Sequence, residues 1–155
     1  MPTIDVYATA GTFDDRHSLA QRLATESMMI EQVPDIPMFR KNTAAFVHEL
    51  PSSGLSNVDG DTTHVRVQVL TNAGALDRDK QLAVVSRLTA SIAEAAADPS
   101  LAERTWVLLT EAPDGGWVSP DTRTRTRSSP LRLGLRSPNC KARNQTTDRE
   151  RPYSA

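Results

Sequence analysis

Cysteine is almost missing from this chain: Cys140 is the only one among 155 residues. One cysteine can form neither an intrachain disulfide nor a thiolate metal cluster. The three histidines, His17, His48 and His64, show no metal-ligand spacing, and no phosphate-loop or nucleophile-elbow motif occurs. The sequence therefore predicts no metal centre, and it favours a reducing, cytoplasmic compartment.

Long apolar runs are absent as well. No stretch approaches the roughly 18–20 apolar residues that cross a bilayer as a helix. The N-terminus, MPTIDVYATAG, has neither the basic n-region nor the apolar h-region of a secretory signal. We therefore expect no membrane partner and no secretion of the chain through such a signal.

Aromatic residues make up only 5% of the chain, and its charges are unevenly spread. Residues 1–117 carry a net charge of −7 and residues 118–155 a net charge of +6, which give −1 overall. A basic tail can contact phosphates, but Tyr153 is its only aromatic residue that could stack on a base. Nucleic-acid binding is thus the least favoured function, and the composition of the tail predicts a disordered, solvated segment.

Alternating and helical apolar patterns divide residues 1–117 into strands and helices. The predicted strands are Thr3–Ala8, Thr43–Leu50, His64–Leu70 and Thr105–Thr110. One helix, capped by Asp14 or Asp15, follows the first strand, and a second, capped by Asp77, follows the third strand. The predicted apolar face of the second helix consists of Leu82, Val85, Leu88 and Ile92. The segment Phe39–Asn42 is predicted to be a connecting loop.

The two helix-containing stretches repeat each other. Residues 10–20 (AGTFDDRHSLA) lie over residues 73–83 (AGALDRDKQLA) with five identities in eleven positions. The repeat predicts two tandem β-α-β units, at about residues 2–51 and 64–117, each with parallel strands and a right-handed crossover. The predicted fold class is therefore α/β (α+β), a four-stranded sheet with both helices on one face.

Residues 118–155 break every pattern of the preceding domain, residues 1–117. Back-translation of the tail with permitted GC-rich codons, with one base restored after Trp117, gives WGLAGHAHTNAELA, a Gly-rich turn followed by a helix start. We hypothesise that the tail is either a native basic extension or the out-of-frame product of a single-base deletion. The gene sequence decides between the two.

Pro2, a strand, a Gly turn, a helix and a strand ending in Glu, with a repeat after about 62 residues, resemble the tautomerase superfamily. Its fused members, such as the malonate semialdehyde decarboxylases and cis-3-chloroacrylic acid dehalogenase, carry two such units. The resemblance covers residues 2–117. Its most specific features are Pro2 and the ending TEAPDGGW at residues 110–117.

The resemblance implies a cofactor-independent isomerase that acts on a small keto or enol acid and assembles as a homotrimer. Once Met1 is removed, the secondary amine of Pro2 would be the catalytic base. An apolar pocket disfavours the protonated amine, and a neutral amine can take a proton from the carbon next to a carbonyl. Trp117 corresponds to the aromatic residue of the family's pocket wall, and Val65 stands where a second catalytic proline would be.

The family's arginines are not retained, which argues against a dehalogenase. The arginines of the short members fall at Thr12 and Ala75 and near Ala44 and Trp106. The first-helix histidine of cis-3-chloroacrylic acid dehalogenase falls at Met29, and its arginine pair falls near Thr71 and Gly74. The candidates left to bind a substrate are Arg66 on the third strand, Arg40 and Lys41 before the second strand, and Tyr7 on the first strand. His48 is interpreted as a structural histidine.

Two alternatives to the isomerase stay open. A lyase of the decarboxylase or hydratase type would use the same proline on a three-carbon acid. A chain that lacks the arginines, and whose foreign tail leaves an edge strand unprotected, would instead be a non-catalytic or poorly assembled member of the superfamily.

Overall fold

The computed structural model describes residues 2–113 and 116. Its strands are β1 (Thr3–Thr9), β2 (Ala44–Leu50), β3 (Val65–Asn72) and β4 (Thr105–Ala112). Its helices are α1 (Arg16–Glu31), α2 (Pro37–Asn42) and α3 (Arg78–Ala95), and a 3-10 helix (Pro99–Arg104) precedes β4. The predicted domain boundary at residue 117 and the predicted tail of residues 118–155 lie outside the described residues.

The four strands form one mixed sheet in the order β2-β1-β3-β4. β1 pairs with β2 in parallel, and β3 pairs with β4 in parallel, because a helix connects the two strands of each unit. The two units meet where β1 and β3 run antiparallel, with Val6 opposite Val67. The predicted four-stranded sheet of two tandem β-α-β units is therefore confirmed.

Both long helices, α1 and α3, cover the same face of the sheet. Alternate residues of β1 and β3 point to this face and are buried, as Ile4 and Val67 show. Leu23 of α1 and Leu88 of α3 are fully buried in the same apolar cluster. Removal of these side chains from water is the main force that holds the helices on the sheet.

Aspartates begin both long helices. The carboxylate of Asp15 accepts a hydrogen bond from the backbone N–H of Ser18, and that of Asp77 accepts one from Lys80, at 2.9 Å in each case. Each bond satisfies a backbone N–H that the first helical turn leaves without an intrahelical partner. Of the two residues predicted to cap α1, Asp15 does so and Asp14 does not.

The cap of α1 predicts an acid-sensitive contribution to stability. The backbone N–H of Ser18, and then its hydroxyl, lower the pKa of Asp15 by donating to the ionised carboxylate. This contribution is therefore present above the unfolded-state pKa of about 3.9 and is lost as the pH falls through the lower folded-state pKa. Asp15→Asn keeps a cap that does not titrate. The free energy of unfolding of the wild type minus that of Asp15→Asn, measured from urea midpoints, should decrease as the pH is lowered from about 6 to about 3. A difference that does not change with pH would contradict this role.

The duplicated sequence forms duplicated turns. Gly11 follows β1 with a φ of +84°, and Gly74 follows β3 with a φ of +71°, a region that glycine enters without strain. The N–H of Gly11 donates to Glu49, and the N–H of Gly74 donates to Glu111, at 3.2 Å in both cases. Each turn is thereby tied to the second strand of its own unit.

The segment before β2 differs from the prediction. Phe39–Asn42 is not a loop but the greater part of helix α2, which begins at Pro37. Proline suits the first helical turn because its φ is already helical and its missing N–H would have no intrahelical partner there. A helix of six residues carries too few apolar positions for its period to be read from the sequence.

The predicted apolar face of α3 is partly wrong. Leu88 and Ile92 are buried, but Leu82 is 52% exposed and Val85 is also exposed. The buried residues of α3 are Val84, Leu88, Ser91, Ile92 and Ala93. The buried face of α3 therefore includes polar Ser91. It excludes Leu82, which the sequence repeat aligns with buried Leu19 of α1.

An ion pair between buried Glu26 and exposed Arg87 joins the two long helices. Glu26 of α1 accepts hydrogen bonds from Arg87 Nε at 3.0 Å and from Ser91 Oγ at 2.7 Å, both on α3. Both carboxylate oxygens have partners, which offsets the cost of removing the charge from water. An exposed pair, Arg22 with Glu94, connects the same helices at 2.7 Å.

Candidate active site

Pro2 stands at the head of the central strand β1 and is buried. It is less than 2% exposed, like Ile4 and Val6, with which it shares the helix-covered face of β1. Its carbonyl oxygen accepts a hydrogen bond from Ala44 N at 3.4 Å, which extends the pairing of β1 with β2 by one residue. The residue that follows Met1 in the sequence is therefore held by the sheet in an apolar setting.

Two threonines flank Pro2 on the adjacent strands. The register of β1 with β2 and with β3, continued one residue beyond Thr3, sets Pro2 opposite Thr43 and Thr71. Neighbouring strands lie about 4.8 Å apart, so both threonines are direct neighbours of the proline. Both are buried, and within the described part of the chain Thr43 Oγ1 has no hydrogen-bond partner. The sequence resemblance places an arginine of cis-3-chloroacrylic acid dehalogenase near Thr71, and the sequence analysis assigned no role to Thr43.

Arg40 and Lys41, two of the candidate substrate-binding residues, lie at the Pro2 end of the sheet. They are on α2, which ends at Asn42 and leads directly into the first residues of β2. Both side chains are exposed, and Arg40 Nη1 forms an ion pair with Asp35 at 3.4 Å. The structure places these cations near Pro2 but outside the buried layer that contains it.

Tyr7 and Arg66, the other two described candidates, lie together far from Pro2. They face each other across β1 and β3, and Arg66 Cζ lies 5.3 Å from the centre of the Tyr7 ring, within the range of a cation–π contact. Both are on the sheet face opposite the helices, which we call the open face. Five residues of strand, or about 17 Å, separate Tyr7 from Pro2. A single chain therefore does not bring Pro2, Tyr7 and Arg66 together.

Asp5 and His48 form a polar pair beside Tyr7 on the open face. His48 Nε2 lies 2.8 Å from Asp5 Oδ1, and the imidazole stacks on the Tyr7 ring with 4.5 Å between ring centres. Next to them, Arg66 donates a hydrogen bond to Gln68 Oε1 at 2.5 Å. The centre of the open face is therefore a connected group of charged, polar and aromatic side chains.

Large apolar side chains border this group on both edge strands. Phe46 of β2 and Trp106 and Leu108 of β4 are exposed on the open face. Trp106 also stacks on His64, with 4.6 Å between ring centres. Large exposed apolar side chains on one face of a sheet are a reason to consider that face as an interaction surface.

Trp117, the predicted pocket-wall residue, lies outside the described residues. Among residues 2–113 and 116, no group of three or more His, Cys, Asp or Glu side chains is placed to hold a metal ion. No helix in that part of the chain combines the length and the hydropathy needed to cross a membrane.

Solved structures of the tautomerase superfamily superpose on the chain. N1, a member of the cis-3-chloroacrylic acid dehalogenase family, is 20% identical, with a TM-score of 0.62 over 76% of this chain and 80% of that chain. The F6 fused 4-oxalocrotonate tautomerase, an asymmetric trimer, is 20% identical, with a TM-score of 0.63 over 76% of this chain and 92% of that chain. Pt0534, inactivated by 2-oxo-3-pentynoate, is 17% identical, with a TM-score of 0.65 over 77% of this chain and 93% of that chain. No protein-family model matches the chain, and no curated protein matches it significantly.

The chain therefore has the tautomerase fold in its fused, two-unit form, as the sequence resemblance implied. Because these three structures are 20% identical or less, their superposition on the chain establishes the fold alone. The reaction depends instead on the side chains that this chain places around Pro2, because one fold supports many reactions.

Proposed function

We propose that this chain is a cofactor-independent isomerase of the tautomerase type, whose catalytic base is the Pro2 amine, freed when Met1 is removed. Its substrate is a small keto or enol acid. The observation that carries the proposal is the position of Pro2, a buried residue at the head of the central strand in a fused tautomerase fold.

A buried secondary amine is suited to this reaction. Burial disfavours the protonated, charged form of the amine, so the nitrogen keeps a free lone pair near neutral pH. In the conversion of an enol to a ketone, this nitrogen accepts the hydroxyl proton and the protonated amine delivers a proton to carbon, as the C=C bond is replaced by C=O. Only protons and π electrons move, and the substrate is neither oxidised nor reduced overall.

Arg40 and Lys41 are proposed to bind the substrate carboxylate, because α2 lies at the Pro2 end of the sheet. The exposed ion pair of Arg40 contributes little to stability, so its guanidinium can exchange that partner for a substrate at low cost. Arg66 and Tyr7 lie about 17 Å along β1 from Pro2 of the same chain. They can contact the substrate only if a second copy supplies them.

We propose that the working form is a homotrimer. Phe46, Trp106 and Leu108 are exposed in the single chain, and burial between copies would remove this apolar surface from water. Fused 4-oxalocrotonate tautomerases of the same fold are described as symmetric and asymmetric trimers. Trp117 is proposed to complete the pocket wall in such an assembly. The single cysteine, Cys140, supports a cytoplasmic location for it.

A non-catalytic protein is the second candidate, and one observation favours it. Thr12 stands where the resemblance places a family arginine, and its hydroxyl donates to the carbonyl oxygen of Thr9 at 2.6 Å, so it takes part in the turn. Ala44, at the start of β2, replaces another of these arginines. A substrate carboxylate therefore lacks the partners that the resemblance would supply.

The test compares wild type lacking Met1 with Pro2→Ala on two substrates. One assay follows the enol–keto conversion of phenylpyruvate, and the other follows decarboxylation of a three-carbon 3-oxo acid. Enol–keto turnover that depends on Pro2 supports the isomerase, and Pro2-dependent decarboxylation alone supports a lyase. Equal rates for both proteins in both assays would defeat the assignment of Pro2 and support the non-catalytic protein.

A further inference from the structure

The hydroxyl of Thr43 is buried next to Pro2 without a partner. Thr43 is 9% exposed, and its Oγ1 makes no hydrogen bond to any part of residues 2–113 and 116. A hydroxyl in this state has lost its hydrogen bonds to water and gained none in return, which destabilises the folded protein. Native proteins retain few such groups, and a catalytic role is one reason for retaining them.

The second unit contains an internal control for this position. Thr43 follows α2 and Thr105 follows the 3-10 helix, each six residues long, and the backbones match, with φ −104° and ψ 118° at Thr43 and φ −106° and ψ 118° at Thr105. The Thr105 hydroxyl nevertheless donates to the carbonyl oxygen of Leu101 at 2.7 Å. Thr105 pairs with Val65, the residue that stands in the place of a second Pro2. The unpaired hydroxyl thus occurs in the unit that has the proline.

We propose that Thr43 Oγ1 is a catalytic hydrogen-bond donor to the substrate, an inference that rests on the function proposed for Pro2. When the Pro2 nitrogen takes the proton from the carbon next to the substrate carbonyl, the C–H electron pair forms a C=C bond and the carbonyl π pair moves to oxygen. The Thr43 O–H donates to this oxygen as it becomes an anion. In a layer that excludes water, a donor already in place stabilises the developing charge strongly. Protonated Pro2 then delivers the proton to this oxygen, which gives the enol and restores the neutral amine, and ketonisation of the enol follows the same steps in reverse.

This role also narrows the substrate class. A neutral hydroxyl favours an oxygen that gains charge during the reaction over a carboxylate that is charged throughout. The carboxylate is then bound by Arg40 and Lys41, which are exposed at the same end of the sheet. A 2-oxo acid with a hydrogen-bearing carbon next to its carbonyl offers both groups in one small molecule.

Three variants test the proposal. Thr43→Val removes the hydroxyl and keeps the shape of the side chain, Thr43→Ser keeps the hydroxyl, and Thr105→Val removes the paired hydroxyl of the second unit. Each protein is measured for kcat and KM on phenylpyruvate, for the pH profile of kcat/KM and for its melting temperature.

Thr43→Val should lower kcat about 100-fold with little change in KM, as the loss of one donor to a developing oxyanion does elsewhere. Its pH profile should not move, because the base is unchanged, and its melting temperature should equal or exceed that of the wild type, because an unpaired buried hydroxyl has been removed. Thr43→Ser should retain kcat within about tenfold. Thr105→Val should show the reverse pattern, a lower melting temperature with wild-type kcat.

Wild-type kcat in Thr43→Val would overturn the proposal. Equal losses in Thr43→Val and Thr43→Ser would also overturn it, because they would indicate packing and not hydrogen bonding. So would a shifted pH profile, which would place Thr43 in the tuning of Pro2. Failure of the function itself is distinguishable, since Pro2→Ala would then be as active as the wild type, and the role of Thr43 would fail with it.

Discussion

Replacement of Pro2 with alanine should lower kcat/KM for enol–keto conversion at least about 100-fold, because a positioned general base contributes about 10²–10⁴-fold to the rate. An N-terminal alanine still has an amine, but it lacks the ring that fixes the nitrogen relative to the backbone. A base that moves freely loses much of the advantage of its position. The measurement is the initial rate of phenylpyruvate ketonisation across a range of substrate concentrations, with protein lacking Met1.

Two further proteins sharpen this experiment. Pro34→Ala removes an exposed proline from the connection between α1 and α2, and it should keep wild-type rates. A chain with one residue inserted before Pro2 keeps the proline but holds its nitrogen in an amide, and it should be as inactive as Pro2→Ala. Substantial activity in this extended chain would show that the free amine of Pro2 is not the base.

Leu108→Asp should convert the proposed trimer into monomers. Leu108 lies on β4 in the open face and is 42% exposed in the single chain. Contact between copies across this face would bury the new carboxylate, whose neighbour in register is the neutral Gln68, already the hydrogen-bond acceptor of Arg66. Burial of an unpaired charge is costly enough to prevent such contact. The molar mass in solution, from sedimentation equilibrium or light scattering, should fall from three chains to one.

Leu82→Asp is the matched control for the open face. Leu82, like Leu108, is a leucine with much of its surface in water, since it is 52% exposed. It lies on α3, on the helix-covered side of the sheet. The same substitution there should leave the molar mass at three chains. A trimeric Leu108→Asp protein, or a wild type that is a monomer, would contradict assembly through the open face.

The strands and the duplicated architecture were predictable because their signals are local. Val65, Val67 and Val69 alternate with polar residues along β3, and this period of two places one set of side chains on the helix-covered face. The glycine turns that recur after 63 residues, at Gly11 and Gly74, mark the same junction in each unit. Both signals are read along the chain itself, so neither depended on knowing which residues meet across the sheet.

The helix packing was only partly predictable, because burial depends on contacts between distant segments. Leu82 aligns with buried Leu19 in the sequence repeat, yet it is exposed. The side of α3 that packs on the sheet consists of other residues, such as Val84 and Leu88. Glu26 and Ser91 occupy the interface between α1 and α3 and satisfy each other there. A hydropathy pattern assigns such residues to the surface.

The candidate site, too, was only partly predictable from the sequence. Pro2 was predicted as the base from its place in a duplicated unit that resembles a known family; the structure shows that it is buried, and its role stays a prediction. The unpaired hydroxyl of Thr43 could not be predicted, because Thr105 has the same backbone and a satisfied hydroxyl. The distance from Pro2 to Tyr7 follows from the predicted first strand, whereas the position of Arg66 opposite Tyr7 depends on strand register, which a single sequence does not specify.

The intact mass of the purified, catalytically active protein shows whether its Pro2 amine is free. A free amine at Pro2 requires that the active chain lack Met1, so mass spectrometry should give the mass of a chain that begins with Pro2. An active protein that retains Met1 would exclude Pro2 as the base, because the Pro2 nitrogen would then be part of a peptide bond, where resonance with the carbonyl group removes its basicity.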